Sequence, residues 1–292
     1  MEVFFSVLKL FPKSIQKKID YIVKKNDIHP EEIRVRLGQD VVIRSALTEY
    51  VCEDTMITSS DINYIIMNAT NGSFHSVIHN LQNGFLPLPN GCRLGICGEG
   101  TMLENSIHNI QHISSLCIRI SQEIIGCSDA FFKDLITPQF RNTIIIGSPG
   151  SGKTTLLREL IRKLSDTGYY IGLADERGEV SGINHGKASF HIGTRTDIIS
   201  GVPKSVAASM ILRSMSPDIL AMDEITSVKD MPAITEAIGC GVGLLTTMHG
   251  KEIKDLRKPS FLSIYEQKVF EYAILIGMNH KIRTYTLKNL YD

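Results

Sequence analysis

The sequence predicts an α/β protein, with a mainly parallel sheet in its C-terminal part and a smaller α+β domain before it. Three observations carry this. First, short apolar runs at 143–146, 169–174, 218–222 and 242–247 alternate with helical patterns, the order that builds a parallel sheet with crossover helices. Second, each of these runs ends in a glycine-rich, acidic or histidine cluster. In open α/β sheets ligands sit beyond the carboxyl ends of the strands. Third, the chain before about residue 125 lacks that alternation. We therefore expect an N-terminal α+β domain over 1–125, for oligomerisation or partner contact, and an α/β domain over 126–292. A chain of 292 residues is long enough for both and for a sizeable core.

Residues 1–11 are apolar but hold Glu2 and Lys9 and lack a small-residue cleavage site, so they read as a first helix rather than a signal peptide. Ile15, Ile19, Ile22 and Val23 recur at helical spacing within 13–26. Over 32–37, Ile33, Val35 and Leu37 alternate with Glu32, Arg34 and Arg36, a strand pattern; Gly38 turns the chain and 41–43 forms the return strand. Thr58-Ser59-Ser60-Asp61 caps a helix through Ile62, Ile65, Ile66 and Ala69, and 78–82 continues or follows it. Gly84, Gly91, Gly95, Gly98 and Gly100, with Pro87 and Pro89, predict short strands and tight turns. The spacing over 91–98 imitates a dinucleotide fingerprint, but no helical run follows, so it reads as β-turns. Leu116, Ile118 and Ile120 alternate in a last strand over 115–121.

In the second part, the strand 143–146 leads through a glycine-rich loop to a helix with Leu156, Leu157, Leu160, Ile161 and Leu164, ended by Gly168. The strand 169–174 delivers Asp175-Glu176-Arg177, and a poorly patterned connection runs to about Lys204. A helix through Val206, Met210, Ile211 and Leu212 precedes the strand 218–222, which ends in Asp223-Glu224. A helix through Met231, Ile234, Ala237 and Ile238 precedes the strand 242–247, which ends in Met248-His249-Gly250.

Composition narrows the class. The apolar fraction is 43% and the charged fraction 21%, as in soluble globular proteins. Lys+Arg and Asp+Glu are both 31, a balance that argues against a nucleic-acid coat. No apolar run approaches the ~18 residues of a membrane span. The six cysteines show no zinc spacing and are expected to be reduced thiols, as in a reducing cytoplasm.

The loop Gly147, Ser148, Pro149, Gly150, Ser151, Gly152, Lys153, Thr154, Thr155 fits the phosphate-binding P-loop in its strand–loop–helix setting. Its glycines let the backbone approach a ligand, and main-chain N–H groups with the helix N-terminus make an anion site. Lys153 is expected to reach the β- and γ-phosphates of ATP, and Thr154 to ligate Mg²⁺. An apolar strand ending in Asp223-Glu224 has the Walker B pattern: Asp223 holds Mg²⁺ through water and Glu224 orients and deprotonates the attacking water. Asp175, Glu176 and Glu179 form a second acidic cluster, which leaves the base open among Glu224, Asp175 and Glu176. His249 is expected to sense the γ-phosphate by hydrogen bonding. Arg177, Arg195 and Arg213 are each candidates for an arginine finger from a neighbouring subunit, and Arg213 equally for a brace of its own site. Lys204 and Arg257 fall in no motif.

The run 212–225, with Arg213-Ser214-Met215-Ser216-Pro217-Asp218 before Asp223-Glu224-Ile225, and Thr246-Thr247-Met248-His249-Gly250 beyond it, resembles the secretion-superfamily ATPases. These are the hexameric motors of type II and type IV secretion and of pilus assembly. Asp175-Glu176-Arg177-Gly178-Glu179 lies at their Asp box and His249 at their His box. The likeness is closer to the sporulation stage III AA family, carried also by 147–158, 91–98 and 118–120, and it covers most of the chain. It implies a RecA-like domain, a homo-hexamer and a cytoplasmic, mother-cell ATPase. That ATPase would assemble or energise the channel to the forespore. It also implies membrane-protein partners from the same operon, indirect membrane contact and no direct nucleic acid. Thr226 stands where secretion ATPases have an arginine, and Asp223 where they have glycine, so that arginine's role is not carried over. A nucleic-acid-stimulated motor, a small-molecule kinase with 178–203 as lid, and a nucleotide-gated scaffold are the alternatives.

Overall fold

The computed structural model describes residues 2–45, 48–72, 85–103, 106–121, 123–183, 186–225, 230–279 and 282–291. The chain divides into two compact units, Met1–Gln122 and Glu123–Asp292.

The first unit packs α1 (Glu2–Leu8), α2 (Lys13–Lys25) and α3 (Ser59–Ala69) with one six-stranded sheet. Its strands are β1 (Glu32–Arg36), β2 (Val41–Ser45), β3 (Thr48–Cys52), β4 (Phe85–Pro87), β5 (Arg93–Leu103) and β6 (Ser106–Arg119). The order is β3-β2-β1-β6-β5-β4 and every described pairing is antiparallel. Period-two alternation puts Ile33, Val35, Ile43, Leu94 and Ile118 in the core with Ile15 and Ile19 of α2 and Ile62 and Ile65 of α3. On the opposite face, Arg34 donates to Glu32, and Arg44 and Arg119 lie 3.7 and 3.8 Å from it. Thr58 and Asp61 form a reciprocal capping box, so the start of α3 is set locally.

Two expectations are corrected here. The glycine-rich stretch makes one short strand, β4 of three residues, and a tight turn, but the rest is long strand: β5 has 11 residues and pairs antiparallel with β6, which has 14. Nor is 91–98 a set of β-turns, since strand begins at Arg93 and only Pro89–Gly91 is a 3₁₀ turn. The glycines serve close approach instead. A Cβ on Gly98 would stand 2.6 Å from the Gln111 carbonyl oxygen, at the register shift between Cys97 and Glu99. Only glycine passes there, a use inside a strand that reads in sequence like a turn. The expected element at 78–82 lies outside the described residues.

In the second unit the chain runs α4 (Phe132–Ile136), β7 (Thr143–Gly147), α5 (Lys153–Asp166), β8 (Ile171–Asp175), β9 (Thr196–Ser200), α6 (Lys204–Ser214) and β10 (Ile219–Ile225). It continues through α7 (Met231–Gly239), β11 (Gly243–His249), α8 (Leu262–Glu266), β12 (Tyr272–Asn279) and β13 (Ile282–Asn289). The sheet order is β13-β12-β7-β11-β10-β8-β9, parallel from β12 to β9, with β13 turned back antiparallel on β12. Helices cover both faces, so strands such as β7 and β8 are buried throughout and read as continuous apolar runs. Leu156, Leu157, Leu160, Ile161 and Leu164 of α5 pack on Ile145, Leu173, Ala221 and Leu245. Across the sheet, Ala207, Ala208 and Ile211 of α6 and Ala233, Ile234 and Ala237 of α7 pack on Ile144, Ile146, Leu220 and Leu244.

Parallel pairing brings the carboxyl ends of β7, β11, β10 and β8 to one edge. Gly147, His249, Glu224 and Asp175 therefore lie along it in that order. The connection 178–203 holds a strand the pattern concealed: β9 contains two apolar residues, Ile198 and Ile199, too few for a period to show. Val206 and Met210 do not face the core as expected but are 49% and 53% exposed. The small residues Ala207 and Ala208 take the buried face because α6 lies close on β8, where a Cβ on Gly172 would overlap Ile211.

Candidate nucleotide site

The loop after β7 is built by main-chain geometry. Gly150 and Gly152 have φ of 73° and 103°, the left-handed region that favours glycine. Gly152 is the N-cap of α5, and its carbonyl accepts the first helical bond, from Leu156 N at 2.9 Å. The free N–H groups of the first turn of α5 are thereby turned to the loop. Lys153 opens α5 with its side chain buried, donating to the carbonyls of Gly147 at 3.0 Å and Ser148 at 3.3 Å. Its Nζ is 3.7 Å from Glu224 Oε2. Ser151 Oγ is buried and has no hydrogen-bond partner among the described residues.

Facing the loop is a cavity of about 380 Å³ that Thr154, Glu176, Glu179, Lys204, Asp223 and Glu224 help to line. With Asp230 and Arg177 also in its wall, five carboxylates stand against two cations. Burial, reinforced by the charge of Glu179, pushes Asp223 up to about 6, while Lys204 pulls the other way. Asp223 and Glu224 sit where the β10 ladder with β11 slips, between Met222 and Ile225, and beyond the last β10–β8 pair. Side chains hold the main chain there instead: Thr246 Oγ1 donates to the Asp223 carbonyl at 3.2 Å, and Lys204 Nζ donates to the Glu224 carbonyl.

The 175–179 cluster splits in two. Asp175 is fully buried, and its carboxylate accepts from Val180 N at 3.2 Å, Ser181 N at 2.9 Å and Ser181 Oγ at 2.6 Å. It is a loop anchor and does not line the cavity, whereas Glu176 and Glu179 do. From α5, Arg158 completes the anchor. Its Nε donates to the Val180 carbonyl at 2.6 Å and its Nη2 to the Glu179 carbonyl at 2.8 Å. The guanidinium carbon lies 3.7 Å from the centroid of the Phe190 ring. Burial lowers the Arg158 pKa to about 10, which leaves it charged at neutral pH.

His249 is exposed at the end of β11, directly opposite Gly147 in the ladder. Arg177 lines the cavity. Arg195 donates to the Gly168 carbonyl at 3.1 Å, and Arg213 meets Glu236 at 3.3 Å; neither lines the cavity. Sequence reasoning missed Lys204, Arg158 and Asp230. Lys204 had a signal: it begins a helix directly after Pro203, and the N-termini of crossover helices face the same edge as the carboxyl ends of the strands. Arg158 had none, because its partners lie more than twenty residues away.

Residues 6–292 match the family described as "Sporulation stage III, protein AA". The chain belongs to that family. It is 31% identical over 273 residues to stage III sporulation protein AA of Bacillus subtilis (strain 168), covering 91% of this chain and 88% of that one. Among solved structures, the ATPase DotB of Legionella pneumophila aligns with a TM-score of 0.63 at 14% identity, over 95% of this chain and 80% of that one. The pilus retraction motor PilT with bound ADP aligns with a TM-score of 0.60 at 14% identity, over 92% of this chain and 82% of that one. The fold of this family member is thus that of the RecA-like secretion ATPases, with an N-terminal domain before the α/β unit.

The donors of the cavity suit Mg²⁺. Thr154 offers a hydroxyl and Asp223 a carboxylate, both oxygen, beside a surplus of negative charge. Among the described residues no cluster of three His, Cys, Asp or Glu side chains encloses a metal.

Proposed function

We propose that this member of the sporulation stage III AA family is a Mg²⁺-dependent ATPase. The observation that carries the reading is the meeting of Lys153 and Glu224 at 3.7 Å, beside a cavity shared by Thr154 and Asp223. ATP entering the loop gives Lys153 phosphate oxygens in place of Glu224, and the main-chain N–H groups from Gly147 to Thr155 cradle the rest. Thr154 and Asp223 would hold Mg²⁺, which would supply neutralisation of the developing phosphate charge. Glu224, released from Lys153 and 40% exposed, orients the attacking water and takes its proton. Asp175 is fully buried, held by three donors and outside the cavity wall, so we take Glu224 as the base, with Glu176 behind it. His249 reports the γ-phosphate along β11, whose register ties it to Gly147. Arg213 is exposed and does not line its own cavity, which suits action on a neighbour's.

The family supports a sporulation role, and the fold supports a ring. We read the protein as a homo-hexamer in the mother-cell cytoplasm that assembles or energises a channel to the forespore through membrane-protein partners. Its N-terminal domain serves oligomerisation or partner contact. No described helix is long and apolar enough to cross a membrane, so membrane contact is taken to run through those partners. The chemistry is tested with purified protein, by phosphate release with Mg²⁺ and with EDTA. Glu224→Gln should keep ATP binding within about threefold while turnover falls at least ~100-fold, as for loss of a group used only in the transition state. Undiminished hydrolysis by Glu224→Gln sinks the assignment of the base.

A further inference from the structure

Among the described residues Lys204 is the one lysine in the cavity wall, no motif accounts for it, and its placement carries two costs. It lies in the first turn of α6, where the helix dipole opposes a cation. Its side chain is only 12% exposed, so the ammonium also gives up much of its hydration and a long side chain its freedom. What it reaches is the end of β10. Asp223 and Glu224 have no partner in either flanking ladder, so strand pairing does not hold their main chain. Lys204 Nζ donates to the Glu224 carbonyl and stands 3.9 Å from Glu176 Oε2, so it meets two of the four other carboxylate-bearing residues that line the cavity with Asp223. Lys153 meets the side chain of Glu224 while Lys204 meets its backbone, so the two lysines grip one residue from two sides.

We propose that Lys204 is a positioning residue for hydrolysis, fixing the main chain at Glu224 and the carboxylate of Glu176 so that Glu224 is presented to the attacking water. This rests on the ATPase reading above. It divides the labour of the two lysines: Lys153 serves binding, whereas Lys204 serves turnover. Misplacement of a catalytic group by about 1 Å costs on the order of 100-fold in rate.

The test uses the full chain with Lys204→Met, Lys204→Gln and Lys204→Arg, measured for thermal midpoint, affinity for a fluorescent ATP analogue, KM and kcat. Lys204→Met should lose about 10- to 100-fold in kcat with KM and affinity within about threefold of wild type. Lys204→Arg, which keeps a cationic donor, should recover most of the loss. Lys204→Gln keeps a neutral donor for the carbonyl and replaces Lys204→Met if that variant does not fold. Unchanged kcat in Lys204→Met, beside an active wild type, overturns the inference alone. So does a loss confined to affinity and KM, which would make Lys204 a phosphate contact. Equal losses in all three variants with lowered midpoints overturn it in favour of packing. A wild type that releases no phosphate from ATP overturns the ATPase reading and this inference together.

Discussion

Asp223 is an aspartate whose surroundings disfavour its charge. Its pKa of about 6 stands above the ordinary 3.8, chiefly through burial. A raised carboxyl pKa means that the native state binds the proton more tightly than the unfolded chain. Stability therefore falls as pH rises between about 4 and 6, and above 6 the penalty is fully present. The gap corresponds to on the order of 3 kcal/mol. Asp223→Asn should consequently raise the stability of the metal-free protein at pH 7.5 and change it little at pH 4, read from urea unfolding at both values. A gain of the same size at both values would show that ionisation is not the cause. The residue types at this site were legible from sequence. Their condition was not, because the charge on Asp223 depends on Glu179 and Lys204, which the fold delivers from other elements.

At the scale of elements, the loop after β8 shows how one acidic run takes two roles. Strand alternation turns Asp175 inward at the last position of β8, where Val180 and Ser181 close over it. Glu176 and Glu179 are then left on the cavity side. Asp175→Asn exchanges one acceptor oxygen for a donor amide that faces donors. It should cost about 1–3 kcal/mol of stability. Hydrogen exchange should rise over 176–183 more than in β10, and an unchanged exchange pattern would remove the anchor role. The same inward turn explains why the sequence left Asp175 open as a base: 175–179 shows five residues in a row and no direction. For α6 the sequence pattern misleads, since Val206 and Met210 are large and apolar yet exposed, while alanines take the sheet. Gly172 makes room for Ile211 and so lets α6 lie close on β8, which leaves space only for alanines at 207 and 208, whereas a hydrophobic pattern favours the larger side chains.

For the whole molecule, the cavity wall holds five carboxylates against two cations, so in the proposed mechanism a triphosphate would depend on Lys153 and Mg²⁺ for its charge. Outward-facing Arg213 and the large exposed apolar residues Val206, Met210 and Ile238 belong to the same α6–α7 layer. The ring proposed above would cover that layer with a neighbouring subunit. Light scattering with ATP and Mg²⁺ should show a hexamer at high protein concentration. A persistent monomer there counts against a ring motor. The order of the site along the sheet edge follows from parallel pairing, which any alternating α/β chain obtains. The long β5–β6 hairpin and β9 do not, since a glycine inside a strand and a strand with two apolar residues both look like loop.

By itself the sequence determined the phosphate loop, the acidic strand ends and the α/β order. Glycines that must bend the chain, and apolar strands that must be buried, leave their mark on neighbouring residues. Only the tertiary structure decided which carboxylates face the cavity, that Arg158 ties the P-loop helix to the acidic loop, and that Lys204 holds the end of β10. Those choices rest on hydrogen bonds between residues about twenty apart or more, and on the depth at which each charge is buried. Both are properties of the packed chain.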